Sequence, residues 1–226
     1  MGGQACVFYG AAQVSKDIDL LLLTEAENFA RLERALADLQ ARRIAVPRFD
    51  PALLARGHAV HFRCKAAGVE ELRVDVMTRL RDLPGFSALW ERRTTFADDT
   101  GESFDLLSVP DLVLAKKTQR DKDWPIIALL VDIHFRENHN APTHEWVQFW
   151  LTEARSVELI RNLATRFPAE TRTLAATRPL LALVVGDDES LRRALDEEVR
   201  AEQAKDRAYW EPLKREMEAF RREERL

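Results

Sequence analysis

Ser15-Lys16-Asp17-Ile18-Asp19-Leu20-Leu21-Leu22-Leu23 decides the reading of the fold. Its apolar run after Asp17 predicts a strand over 17–23, in which side chains two positions apart share a face. Asp17 and Asp19 then stand side by side about 7 Å apart, while Ile18 and Leu20 turn toward a core. Two carboxylates held this close repel each other unless a cation lies between them. Mg²⁺ suits such a pair, because it takes a few carboxylates and fills its remaining positions with water and phosphate oxygens.

Two neighbouring features extend the pattern. Asp75 interrupts the apolar run of a predicted strand over 72–77, between Val74 and Val76. If that strand lies beside 17–23, it brings a third carboxylate, and three acids can hold two Mg²⁺ ions. The alternative makes Asp75 a structural acid paired with Arg73 or Arg79. Upstream, Gly2-Gly3 opens a short helix predicted over 3–13 and offers backbone N–H groups to a phosphate, with the Ser15 hydroxyl as a further donor.

The rest of the chain divides in two. Phe29, Leu32, Leu36 and Leu39 recur at helical spacing within 27–43. Residues 58–64 and 71–78 alternate across Gly68 as an antiparallel pair, and 94–97 and 103–107 form a second pair joined by Asp98-Asp99-Thr100-Gly101. Ser108 is placed to cap a helix running to about 119, and Asp123-Trp124-Pro125 starts another that ends near 135. After Ala141 only helices are predicted, over 145–167, 171–185 and from 189 onward, the last interrupted or kinked at Pro212. The fold class is therefore α+β: a mixed β-sheet flanked by helices over 1–140, with an all-α C-terminal region over 141–226.

The combination of Gly2-Gly3, Ser15-x-Asp17-Ile18-Asp19-Leu20 and the later Arg73-Val74-Asp75-Val76 resembles the nucleotidyltransferase superfamily that includes polymerase beta. The downstream Lys116-Lys117-Thr118-Gln119-Arg120-Asp121-Lys122-Asp123 is similar to an element of bacterial abortive-infection toxin-type nucleotidyltransferase-like proteins. The resemblance spans roughly residues 2–135. It implies a nucleotidyltransferase-like sheet and a Mg²⁺-dependent enzyme that moves NMP from an NTP to an acceptor hydroxyl on RNA (tRNA included), protein or a small molecule. By position, Asp17, Asp19 and Asp75 would be the catalytic and metal-binding acids, with a two-metal site as one arrangement. Gly2, Gly3, Ser15, Lys116, Arg120 and Lys122 would bind the substrate, Lys116 and Arg120 from one helical face. Members of that superfamily carry a strand ahead of the double glycine, so the resemblance also implies a sheet without its first strand. The other function class is a non-catalytic binding or regulatory module of the same fold, such as one half of a toxin–antitoxin pair.

Composition narrows the setting. Of 226 residues, 46% are hydrophobic and 32% charged, which excludes a disordered or collagen-like chain. The net charge of −4 excludes a purely electrostatic coat for duplex DNA or membrane, although residues 31–93 hold 13 bases against 8 acids. Cys6 and Cys64 make no disulfide framework and read as small buried apolar side chains in a reducing cytosol. Apolar runs are too short for a membrane helix, so no membrane partner is expected. From Asp187 onward the chain carries 13 acids and 10 bases around a stripe that includes Leu191, Leu195, Leu213 and Phe220. That stripe predicts packing on its own domain, or a surface for a second copy or an antitoxin partner.

Overall fold

In the computed structural model, which describes residues 1–224, the chain gathers into two units. The first comprises Met1–Phe8, Ala12–Ala115 and the chain from Arg207 onward; the second comprises Tyr9–Ala11 and Lys116–Asp206. The last two residues of the expected helical region, 225 and 226, lie outside the described residues.

The first unit is α+β. It opens with α1 (Gly2–Phe8), which leads into β1 (Asp17–Leu21) and α2 (Ala26–Asp38). Then follow β2 (Arg42–Arg43), α3 (Pro51–Ala55), β3 (Val60–Arg63) and β4 (Arg73–Met77). The four strands form one mixed sheet in the order β1-β4-β3-β2, with β1 parallel to β4 and the other neighbours antiparallel. Val60, Phe62, Cys64, Val74 and Val76 project from one face of this sheet into a core with Phe29, Leu32 and Leu36 of α2 and Leu54 of α3. Leu20 and Leu22 pack against the same core. The alternation that buries these residues sends Asp17, Asp19, Arg73, Asp75 and His61 to the opposite face.

The α2 helix stops earlier than its periodicity predicts. Gln40 takes a positive φ of 48°, and Arg42–Arg43 then run as a strand against Phe62 and Arg63. The short α3, not expected from periodicity, is set by local chemistry: Pro51 sits in its first turn and the Asp50 carboxylate accepts from Ala52 N at 2.9 Å. The first unit continues with α4 (Phe86–Glu91), the hairpin β5 (Thr94–Ala97) and β6 (Ser103–Leu106), and α5 (Val109–Lys116), whose last residue opens the second unit. Asp98 shapes the hairpin turn, its Oδ1 accepting from the N–H groups of Thr100 and Glu102 at 2.9 Å each. Ser108 and Asp111 fix the start of α5, with Arg92 gripping Asp111 through two 2.6 Å bonds.

The second unit is helical: α6 (Asp123–Asn138), α7 (His144–Glu153), α8 (Val157–Arg166), α9 (Pro168–Leu174), a 3₁₀ turn (Pro179–Leu183) and the beginning of α10 (Asp188–Glu223). The single helix expected over 145–167 is two, because Ala154 leaves helical geometry and Ser156 caps a new start by accepting from Leu159 N at 3.2 Å. The stretch expected as one helix over 171–185 likewise divides into α9 and the 3₁₀ turn, beginning where Pro179 cannot continue an α-helix. Conversely, α10 runs through Pro212. Its residues up to Asp206 belong to the second unit and those from Arg207 to the first. Among the described residues, no helix is long and apolar enough to cross a membrane.

Candidate functional site

The parallel pairing of β1 with β4 sets Asp17 opposite Arg73 and Asp19 opposite Asp75. All four side chains therefore share the polar face of the sheet. The strand predicted to carry a third acid does lie beside the strand carrying the first two. Antiparallel β3 adds His61 directly opposite Asp75 from the other side.

Asp75 is the buried member, only 8% exposed. Arg73 grips it with two bonds, Nε to Oδ1 at 2.7 Å and Nη2 to Oδ2 at 2.9 Å. His61 Nδ1 approaches Oδ1 at 2.8 Å and also lies 3.1 Å from Arg73 Nη2. Burial by itself would raise the Asp75 pKa; the hydrogen bonds from His61 and Arg73 outweigh it and hold the carboxyl below its usual range. The Arg73 guanidinium is shifted upward, first by its hydrogen bond to Asp75, with burial opposing and the negative fields of Asp75, Asp17 and Asp19 assisting. A cation thus does sit among the three acids, and it is the chain's own arginine. Among the described residues, no three His, Cys, Asp or Glu side chains are grouped closely enough to hold a metal ion.

The glycines have a steric purpose at this site. A Cβ on Gly2, whose φ is +68°, would fall 1.8 Å from Asp19 Oδ2, and one on Gly3 would fall 2.3 Å from Ser15 Oγ. Only side chains of hydrogen let α1 lie this close to β1. Gly3 N then donates to Asp19 Oδ2 at 3.3 Å, and the Ser15 hydroxyl donates to the carbonyl of Asp17 at 3.0 Å. Both donors expected to face a phosphate are directed instead at the strand that carries the acids.

The other expected substrate contacts belong to the second unit. They do not share a helical face, because α5 ends at Lys116 and Arg120 falls in the turn beyond it. Asp123, 1% exposed at the start of α6, brings them together. It accepts from Lys116 Nζ at 3.4 Å, Thr118 Oγ1 at 2.5 Å and Arg120 Nε at 2.7 Å. Trp124 Nε1 closes the turn on the carbonyl of Thr118 at 3.1 Å. Lys122 is exposed.

Sequence reasoning missed His61 and the organising part of Asp123. The signal for His61 was its position in a strand that alternates His-Phe-Arg-Cys with every second residue apolar. For Asp123 there was only its acid type within a basic run. The chain matches no protein-family model, no curated protein and no solved structure.

Proposed function

We propose that the chain is a Mg²⁺-dependent nucleotidyltransferase that moves NMP from an NTP to an acceptor hydroxyl. The observation that carries this reading is the β1–β4 register, which places Asp17, Asp19 and Asp75 on one face of adjacent strands. The resemblance of the Gly-Gly, Ser-x-Asp-Ile-Asp-Leu and Val-Asp-Val elements to the nucleotidyltransferase superfamily supports it. The carboxylate donor set fits a hard divalent cation: Asp17 and Asp19 are half-buried and face the same way. These two would hold the ion, with Asp75 joining them as Arg73 turns from its carboxylate to a phosphate oxygen. Bound Mg²⁺ supplies charge neutralisation on the phosphates and activation of the attacking hydroxyl.

The remaining work falls to the chain's own groups. Arg73 would exchange one anionic partner for another, so its charge would stay compensated. Asp75, fixed on the same face as Asp17 and Asp19 by the strand register and approached by His61 Nδ1 at 2.8 Å, is assigned the orienting of the attacking hydroxyl. Lys116 and Arg120 take no part in this mechanism, since both are held on Asp123 within the second unit. Gly2 and Gly3 serve by letting Gly3 N hold Asp19 in place.

The test is transfer of label from each radiolabelled NTP, with Mg²⁺, to cellular RNA and protein. Transfer by the wild type and loss of at least about a hundredfold in an Asp17→Asn, Asp19→Asn double variant is the expected result. Equal labelling by the two proteins would sink the enzyme reading.

The bidentate Arg73–Asp75 pair favours a second reading, in which the arginine permanently replaces a metal and the fold binds a partner or nucleotide without catalysis. Calorimetry separates the two. Nucleotide binding indifferent to Mg²⁺, or no binding, belongs to the second reading.

A further inference from the structure

Beside Asp19, within the first unit, lies a cavity of about 110 Å³. Leu20 and Leu21 of β1, Leu89 of α4 and Leu106 and Leu107 form its apolar walls; Asp19, Arg93 and Asp105 line it too, as does Met1, whose terminal ammonium donates to the Asp19 carbonyl at 3.0 Å. Its aromatic side is layered. The rings of Phe86 and Trp90 stack at 5.6 Å with an interplanar angle of 18°, and the Arg93 guanidinium lies 4.0 Å over the Trp90 ring. Arg93 is in turn held by Asp105, Nε to Oδ1 at 2.8 Å. Trp90 remains 43% exposed, unusually open for a tryptophan.

These properties match one kind of ligand. A nucleobase is planar, apolar on its faces and polar along its edges; it stacks on aromatic rings and guanidinium planes. Asp19 of β1 is itself among the lining residues, so the cavity adjoins the face that carries the acids. A second hollow of this unit, about 570 Å³ beyond the ends of β1 and β4, has Arg79 as its single charged lining residue and no carboxylate. It lacks the link to the acids that the smaller one has.

We propose that the pocket formed by Phe86, Leu89, Trp90 and Arg93 receives the base of the NTP. The inference rests on the nucleotidyltransferase reading, because that reading puts the triphosphate at Asp17 and Asp19. Trp90 and Arg93 then set how firmly the nucleoside end is held, independently of the phosphates.

The experiment is calorimetry of the full chain in Mg²⁺ with two ligands: a nucleoside triphosphate analogue that cannot be cleaved, and inorganic tripolyphosphate, which has no base. Trp90→Ala should weaken the analogue at least about tenfold, because it removes the ring on which both Phe86 and Arg93 are layered at the pocket, and leave tripolyphosphate within about twofold. Trp90→Phe, which keeps an aromatic face, should restore analogue binding to within about threefold of the wild type. Equal weakening of both ligands by Trp90→Ala, or no weakening of the analogue, overturns the base pocket while leaving the nucleotidyltransferase reading standing. If the wild type binds neither ligand, that reading fails and the pocket fails with it.

Discussion

His134 is a histidine that the fold keeps neutral. Burial pushes its pKa below the ordinary value, and the Trp150 indole Nε1 donates to its Nδ1 at 2.9 Å, so that nitrogen is an acceptor. A histidine with a lowered folded pKa stabilises fully above its unfolded value near 6.5 and loses that contribution as pH falls through it toward the folded value. The melting temperature should therefore drop between pH 7.5 and 5.5, and His134→Gln should flatten the slope; identical slopes would show that protonation of this ring is not what destabilises. The legibility of single residues followed the same division between local and distant causes. Asp17, Asp19 and Asp75 were readable because an acid in an apolar strand has few explanations. Gly2 and Gly3 were singled out for their N–H groups, whereas the nearest atoms to a Cβ there are those of Asp19 and Ser15. That approach depends on partners 12 to 17 positions away, which spacing alone does not reveal.

Among the elements, hairpin and sheet were the most legible, because period-two alternation and turn residues are local signals. Helix ends were the least, since a terminating residue such as Gln40 or Ala154 carries little compositional mark. The C-terminal part of α10 illustrates how an amphipathic helix acquires its partner. Glu216 accepts from or shares a proton with His58 Nε2 at 2.8 Å and pairs with Arg56 at 3.1 Å. Its pKa is lowered chiefly by the His58 hydrogen bond, with burial opposing and Arg56 assisting. Nearby, Gly57, with φ +103°, leaves room for the Tyr209 hydroxyl, which a Cβ would meet at 2.9 Å. His58 is 1% exposed and its Nδ1 has no partner among the described residues, so the ring depends on Glu216. Glu216→Ala should cost about 1–3 kcal/mol in urea unfolding, the usual penalty for orphaning a buried polar group. A change below about 0.3 kcal/mol would mean that the helix is held by its apolar stripe alone.

At the scale of the whole molecule, two compact units predict unfolding in more than one step. Scanning calorimetry should give a van't Hoff enthalpy smaller than the calorimetric one; equality of the two would show that α10, which contributes residues to both units, couples them into one transition. Charge averages conceal this organisation: the total of −4 contains a 31–93 stretch with 13 bases against 8 acids and an end from Asp187 with 10 bases against 13 acids. The register of β1 on β4 reaches furthest. Leu20 and Leu22 occupy the core side of a strand whose alternate positions are Asp17 and Asp19, and Leu20 pairs with Val76 just as Asp19 pairs with Asp75. Sliding β1 by one residue would bury both acids and expose the leucines, at a cost of several kcal/mol. The greasy side of the sheet is thus a ruler for the charged side: the spacing of the acids is set by residues packed on the face away from them.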